Sequence, residues 1–235
     1  MIPFNPVEAL SNLISIRSFS KEEEPARNLI ESILTTYEIS FTIDLNNIWA
    51  KNKHFDSSKH TILLNSHLDT VKPNKGYTKD PFYPHSENGK LYGLGSNDAG
   101  GALVTLLGTF LHFHNEKDLP FNLVFAASAE EEISGKNGME FLFSRLPKID
   151  FAIVGEPTLL DIAIAEKGLM VLDCKSIGKS AHAARNEGVN AIYEAIKDIN
   201  WFSSYVFPKQ SDETGTVNMT VTQVKSGSQH NVVPS

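Results

Sequence analysis

The stretch TILLNSHLDTV, Thr61 to Val71, decides the fold. Thr61 to Asn65 is a short apolar run, as expected of a strand covered on both faces in a mostly parallel sheet. It ends in a polar corner carrying Ser66, His67 and Asp69. Ligands of open α/β sheets bind beyond the carboxyl ends of the strands, so a site is expected at this corner.

The same ending recurs downstream. Phe121 to Ala127, FNLVFAA, is a second buried-strand candidate and runs directly into Ser128-Ala129-Glu130-Glu131-Glu132. Asp150 to Pro157 repeats the pattern, with DFAIV closed by Gly155-Glu156-Pro157. Between them, LYGLGSNDAGGALVTLLGTFLHFHN places Asp98 just before a helix predicted from about Ala99 to Phe113. Asp98 also reads as an ordinary helix N-cap. Gly100 and Gly101 weaken the first turn without improving a cap, however, which points to a close approach to this backbone. Taken singly, the triple glutamate is a solvated charge run and Glu156 a loop acid. Their repeated position at strand ends makes them a set.

The remaining pattern frames this centre. Val7, Leu10, Leu13 and Ile14 recur at helical spacing over Val7 to Ile16, and a second helix is predicted from Pro25 to about Tyr37. Pro25 suits a first helical turn, and Glu22, Glu23 and Glu24 read as its solvated start. Ser18 to Ser20 reads as a loop, Phe41 to Lys51 as an edge strand, and Asn52 to Lys59 as a hairpin or loop. Lys72 to Gly89 is a long Pro- and Gly-punctuated connection, which hints at a functional surface loop. After Glu166 the character changes. Strands are predicted over Lys167 to Ile177 and Thr214 to Lys225, a small-residue loop with His182 over Ser180 to Gly188, and a helix over Val189 to Tyr205.

Composition narrows the partners. The 235 residues carry a formal charge of −7, from 28 acidic against 21 basic, and no Lys/Arg block, which argues against nucleic acid. No apolar run approaches the roughly 20 residues that span a bilayer, so no membrane partner is expected. The N-terminus lacks the basic segment of a secretory signal, and the lone Cys174 excludes an internal disulfide framework. The cytoplasm is the expected compartment.

His67, Asp98, Glu132 and Glu156 are the expected metal ligands. One imidazole and three carboxylates without a thiolate suit zinc and admit cobalt or manganese. Charge counting favours two ions, since three carboxylates and a bridging hydroxide balance two divalent cations. Such a pair, about 3.5–4 Å apart, needs a bridging carboxylate, and Asp98 at the Gly-rich corner is best placed. In the order His-x-Asp both side chains fall on one side of an extended segment, so Asp69 can accept a hydrogen bond from the other ring nitrogen of His67. As a loop-capping residue Asp69 would do less. Glu131 and Glu132 offer a division of labour, one binding metal and the other moving a proton. Spacing assigns neither role and does not exclude Glu130. His54, His60, His85, His112, His114 and His230 keep ordinary roles, with His112 and His114 on different helix faces.

Together these motifs resemble a known family. SHLDTV, the Gly-rich segment ending in Asp98, the acid run before ISGKNG, and VGEPT are similar, in that order, to motifs of the two-zinc amidohydrolase and metallopeptidase family. That family contains acetylornithine deacetylase, succinyl-diaminopimelate desuccinylase, aminoacylase and glutamate-releasing carboxypeptidases. KSAHAARNEGVNAI and GSQHNVVPS look like its lid motifs. The resemblance implies an α/β fold with a mostly parallel-sheet catalytic domain over 1–166 and an inserted α+β lid over 167–235. Both are expected to be incomplete, since the family takes a further metal-binding His and a substrate-binding Arg from sequence beyond the lid.

The resemblance also assigns roles. His67 and Glu156 would bind one zinc, Asp98 bridge, and Glu132 bind the other. The catalytic positions would be Glu131, the general base, and Asp69, which holds the His67 ring. His182 would polarise the scissile carbonyl across a homodimer interface of the full-length protein, and Asn231 would contact substrate. The implied activity is metal-dependent hydrolysis of the amide bond of a small N-acyl amino acid, as in N-acetylornithine deacylation in arginine biosynthesis. A dipeptidase or aminopeptidase on the same site, or a metal-binding fragment without turnover, are the alternatives. Two departures stand out: Glu130 replaces the Asp that usually opens the acid triplet, and Ala99-Gly100-Gly101 replaces the usual Met-Lys-Gly.

Overall fold

A computed structural model describes residues 3–227 and 229–235, which form two compact units, Met1–Leu160 and Asp161–Ser235. The first unit opens with helix α1, Pro6–Ile14, started by the Asn5 side chain, which accepts the N–H groups of Val7 and Glu8. This satisfies two of the donors that a helix N-terminus leaves free. Helix α2, Glu24–Thr36, follows with Pro25 in its first turn. The predicted single edge strand is instead a hairpin of β1, Phe41–Asp44, and β2, Asn47–Lys51. The chain reverses at Leu45, whose φ of 58° is left-handed, a conformation that a leucine does not advertise in sequence.

Strand β3, Thr61–His67, is followed by a small hairpin of β4, His85–Glu87, and β5, Lys90–Tyr92. Then come helix α3, Gly101–Phe113, strand β6, Asn122–Ser128, the short helix α4, Met139–Phe143, and strand β7, Phe151–Val154. The five-stranded sheet has the order β1-β2-β6-β3-β7. Its central pairs, β3 with β6 and β3 with β7, are parallel, while β2 joins β6 antiparallel. The sheet is therefore mixed, an α/β fold whose parallel strands lie at the centre.

Alternation builds two cores. Leu64, Leu123, Phe125 and Ala127 face α2 and α3, packing with Ile30, Leu34, Leu107 and Phe110. Leu63, Val124 and Ala126 face the other way, against Leu142 and Leu146. Burying each large side chain contributes about 1.5–3 kcal/mol, so the two-sided burial of β3 and β6 fixes both their register and their central place.

The second unit departs from expectation. Neither Lys167 to Ile177 nor most of Thr214 to Lys225 is strand. What forms is two short ladders, β8, Ala181–His182, with β11, Val232–Val233, and β9, Gln210–Ser211, with β10, Gly215–Thr216. A strand needs hydrogen-bonded neighbours, and among the described residues no strand pairs with Lys167 to Ile177 or with Thr214 to Lys225 beyond Gly215–Thr216. Leu169 and Met170 accordingly stay 87% and 80% exposed. Helix α5, Ala191–Ser204, does form, with the Asn190 side chain accepting the Ile192 N–H. Among the described residues no helix is long and apolar enough to cross a membrane.

Candidate metal centre

Parallel pairing carries the three strand ends to one edge. His67 stands in register with Ser128, and Asn65 with Val154, so the His67 corner, the Glu130–Glu132 turn and Gly155-Glu156 emerge together. The Ser66 hydroxyl donates to the Gly155 carbonyl at 2.9 Å, and the Gly155 N–H to the Asn65 carbonyl at 2.7 Å. A Cβ on Gly155 would press on Ala102 and Leu106, so glycine lets this strand end close onto α3. Asp98 lies in the turn Ser96–Gly100 before α3, outside helical geometry at φ −116° and ψ 101°, and caps no helix with its side chain. The peptide bond that follows it is cis. The close approach expected at Gly100 comes from the turn itself: a Cβ there would lie 2.6 Å from the Gly95 carbonyl oxygen.

The donor atoms converge. Among the described residues His67, Asp98 and Glu132 each offer one ligand atom, all within 4.8 Å of one another. His67 Nε2 is 3.1 Å from Asp98 Oδ1 and 3.8 Å from Glu156 Oε2. His67 Nδ1 lies 2.8 Å from the Asp69 carbonyl oxygen and 3.5 Å from its carboxylate. Thus the backbone of Asp69, more closely than its side chain, orients the ring. An Nδ1–H held there leaves Nε2 free to face the acids.

Electrostatics show a site short of positive charge. Burial alone would lower the pKa of His67, but the Asp69, Glu156 and Asp98 carboxylates overcome it and raise it to about 9. Glu132 and Glu156 are both held above the usual carboxylate range, first by burial and then by the negative charges around them, Asp98 and Glu131 among them, despite relief from His67. Asp69 runs the other way. Burial is its largest influence and pushes it up, yet His67, the Ser20 hydroxyl at 2.7 Å and the N–H groups of Glu131 and Glu132 at 3.0 and 3.1 Å hold it below the usual range.

The acid turn is gripped from behind by residues that sequence reading passed over. Four consecutive N–H groups each donate to a side-chain oxygen: Ala129 to Asn47 at 2.9 Å, Glu130 to Glu23 at 3.0 Å, and Glu131 and Glu132 to Asp69. Glu130 is no ligand candidate here; it is buried, left-handed at φ 54°, and accepts from the Asn137 side chain at 2.9 Å. Glu23 corrects the reading of a solvated helix start, since it is fully buried. Nothing in EEEP distinguishes its middle residue; the adjacent Asn46-Asn47 pair was the available signal, as buried amides serve turns.

The second unit brings the other two candidates together. His182 pairs with Val232 in the β8–β11 ladder, and the Ala183 N–H donates to the Asn231 carbonyl at 2.9 Å. His182 Nδ1 accepts the Ala184 N–H at 3.2 Å.

The family model described as peptidase family M20/M25/M40 matches residues 63–231. The chain belongs to this family. It is 31% identical over 194 residues to an acetylornithine deacetylase from Buchnera aphidicola subsp. Schizaphis graminum, covering 79% of this chain and 51% of that protein. To a [LysW]-lysine/[LysW]-ornithine hydrolase from Sulfurisphaera tokodaii it is 32% identical over 230 residues, covering 97% and 60%. The fold is also that of a dinuclear metal-binding M20 peptidase from Bacillus subtilis, at a TM-score of 0.61 and 16% identity, covering 97% and 60%. The chain spans about half to three fifths of the length of these proteins. M20 members are metal-dependent hydrolases, and the chain carries a metal-capable group of that kind.

Proposed function

We propose that the protein containing this chain hydrolyses the amide bond of small N-acyl amino acids, N-acetylornithine being the type substrate, at a site for two zinc ions. The observation that carries this reading is the convergence of His67, Asp98 and Glu132 within 4.8 Å, with Glu156 3.8 Å from His67 Nε2. The residues fit the ions. Their uncompensated carboxylates favour cations, and a ring with Nδ1–H on the Asp69 carbonyl presents Nε2 as a ligand atom. His67 and Glu156 would hold one ion, Glu132 the other, and Asp98 both. When bound, such ions acidify water and polarise a carbonyl.

The protein's own groups do the rest. Glu131, exposed beside Glu132, takes the proton of the attacking water and returns it to the leaving nitrogen. Asp69 keeps the Glu131–Glu132 backbone and the His67 ring in one frame. His182 would assist the developing oxyanion and Asn231 the substrate, in a homodimer whose lid is the second unit. The two relatives named for deacetylation and for hydrolysis at lysine or ornithine support an acyl amino acid substrate and a place in amino-acid biosynthesis. The peptidase fold of the Bacillus subtilis protein favours a second reading, a dipeptidase or aminopeptidase. Zinc-loaded protein assayed on N-acetylornithine and on dipeptides separates the two. Absence of chelator-sensitive hydrolysis on both overturns the proposal.

A further inference from the structure

We propose that Glu23 is a positioning residue for the metal-binding turn, fixing Glu131 and Glu132 through the backbone N–H of Glu130. This rests on the reading of Glu132 as a ligand and Glu131 as the base. Glu23 lies more than a hundred residues upstream of the turn, and its side chain is fully buried. Burying a carboxylate is costly unless hydrogen bonds satisfy it. Here Oε1 accepts the N–H groups of Lys21 at 2.7 Å and Glu130 at 3.0 Å, and Oε2 accepts the Asn46 side-chain amide at 2.7 Å. All three partners are donors, which matches a group that only accepts.

The grip falls where it has most effect. Glu130 is left-handed at φ 54°, a conformation that a residue with a Cβ holds only when its surroundings impose it. That reversal lets β6 run straight into two acids presented at the sheet edge. Asn47 holds the residue before it and Asp69 the two after it; at the reversal itself Glu23 takes the Glu130 N–H, while the Glu130 carbonyl accepts the Gly135 N–H and its side chain accepts from Asn137. Loosening it lets the turn relax and carries Glu132 away from His67 and Asp98, while His67 and Glu156, on β3 and after β7, keep their places.

Zinc titration by calorimetry, with cobalt absorption as a second readout, tests this on wild type, Glu23→Ala and Glu23→Gln of the full chain. Glu23→Ala is expected to weaken the ion on the Glu132 side by about tenfold or more, to change the cobalt spectrum, and to leave the His67–Glu156 ion unchanged. Glu23→Gln keeps an acceptor for the Glu130 N–H but sets an amide donor against the Asn46 amide, and is expected to restore part of the affinity. If Glu23→Ala does not fold, Asn46→Ala, which frees Oε2, is expected to weaken the same ion selectively. Wild-type titration and spectra in whichever of these variants fold, even with a lowered melting temperature, would overturn the inference. A wild-type protein that binds no zinc would instead overturn the metal reading beneath it.

Discussion

The two units treat similar apolar runs in opposite ways. In the first, Leu63, Leu64, Val124 and Phe125 are buried on both faces of β3 and β6. In the second, Leu169, Met170, Val171 and Leu172 are mostly exposed in a segment without secondary structure. Both runs promise strands. The difference lies in neighbours: β3 is paired on each side and covered by helices, whereas the later run has no ladder among the described residues. An apolar run proposes a strand, and non-local hydrogen bonds and covering layers decide whether it forms.

The largest contrast concerns the two histidines. His67→Ala is expected to abolish binding of the ion that His67 would share with Glu156 in calorimetric titration, since it removes the imidazole of the cluster. His182→Ala is expected to leave titration unchanged, since His182 belongs to the other unit. Equal losses in both variants would break the assignment of the ions to the first unit.

Stability sharpens the same contrast. Phe125, fully buried beside Phe110 at a ring separation of 5.9 Å, is expected to cost about 3–5 kcal/mol on truncation to Ala. Trp201, 52% exposed on α5, is expected to cost under about 0.5 kcal/mol. Trp49 lies in β2 and Trp201 in α5, so the two tryptophans of the chain report separate units by fluorescence in urea.

Much of the first unit was legible because its signals are local. The helix spacings, the apolar runs of β3, β6 and β7, and the acids at their ends all lie in continuous sequence. The hairpin was hidden by Leu45 at its turn, and Glu23 by neighbours of the same type that stay partly or wholly exposed. Its contact with the Glu130 N–H joins the residue just before α2 to a turn 107 residues later, which no local pattern announces. In the second unit the helix was legible, as α5 shows, while its two strands were misread for the reason already given: an apolar or alternating run reports a preference for strand and is silent about a partner.

Protonation separates the metal-free and loaded states. With its folded pKa raised to about 9 from an ordinary 6.5, His67 contributes stability fully present below pH 6.5 and lost as pH rises through about 9. A shift of that size corresponds to on the order of 3 kcal/mol. Glu132 and Glu156, raised as well, lose their contributions in the same direction as pH rises. Chelator-treated protein is therefore expected to lose melting temperature between pH 7 and 9.5 through the Trp49 transition alone. Zinc-loaded protein is expected to lose less, since a metal-bound ring is already neutral. A parallel loss at Trp201 would break the comparison by showing that the units unfold as one.

Asp69→Asn makes the finest distinction, because the backbone and side chain of this residue do separate jobs. Its carbonyl accepts from His67 Nδ1 at 2.8 Å, and its carboxylate accepts from Ser20 and from the N–H groups of Glu131 and Glu132. The substitution keeps the carbonyl and one side-chain oxygen, and turns the other into a donor facing the Ser20 hydroxyl and a backbone N–H. The His67 ring should hold its orientation while the acid turn shifts. About tenfold weaker binding is expected, confined to the ion on the Glu132 side. Equal weakening of both ions would instead mean that the carboxylate, at 3.5 Å from Nδ1, carries the ring after all.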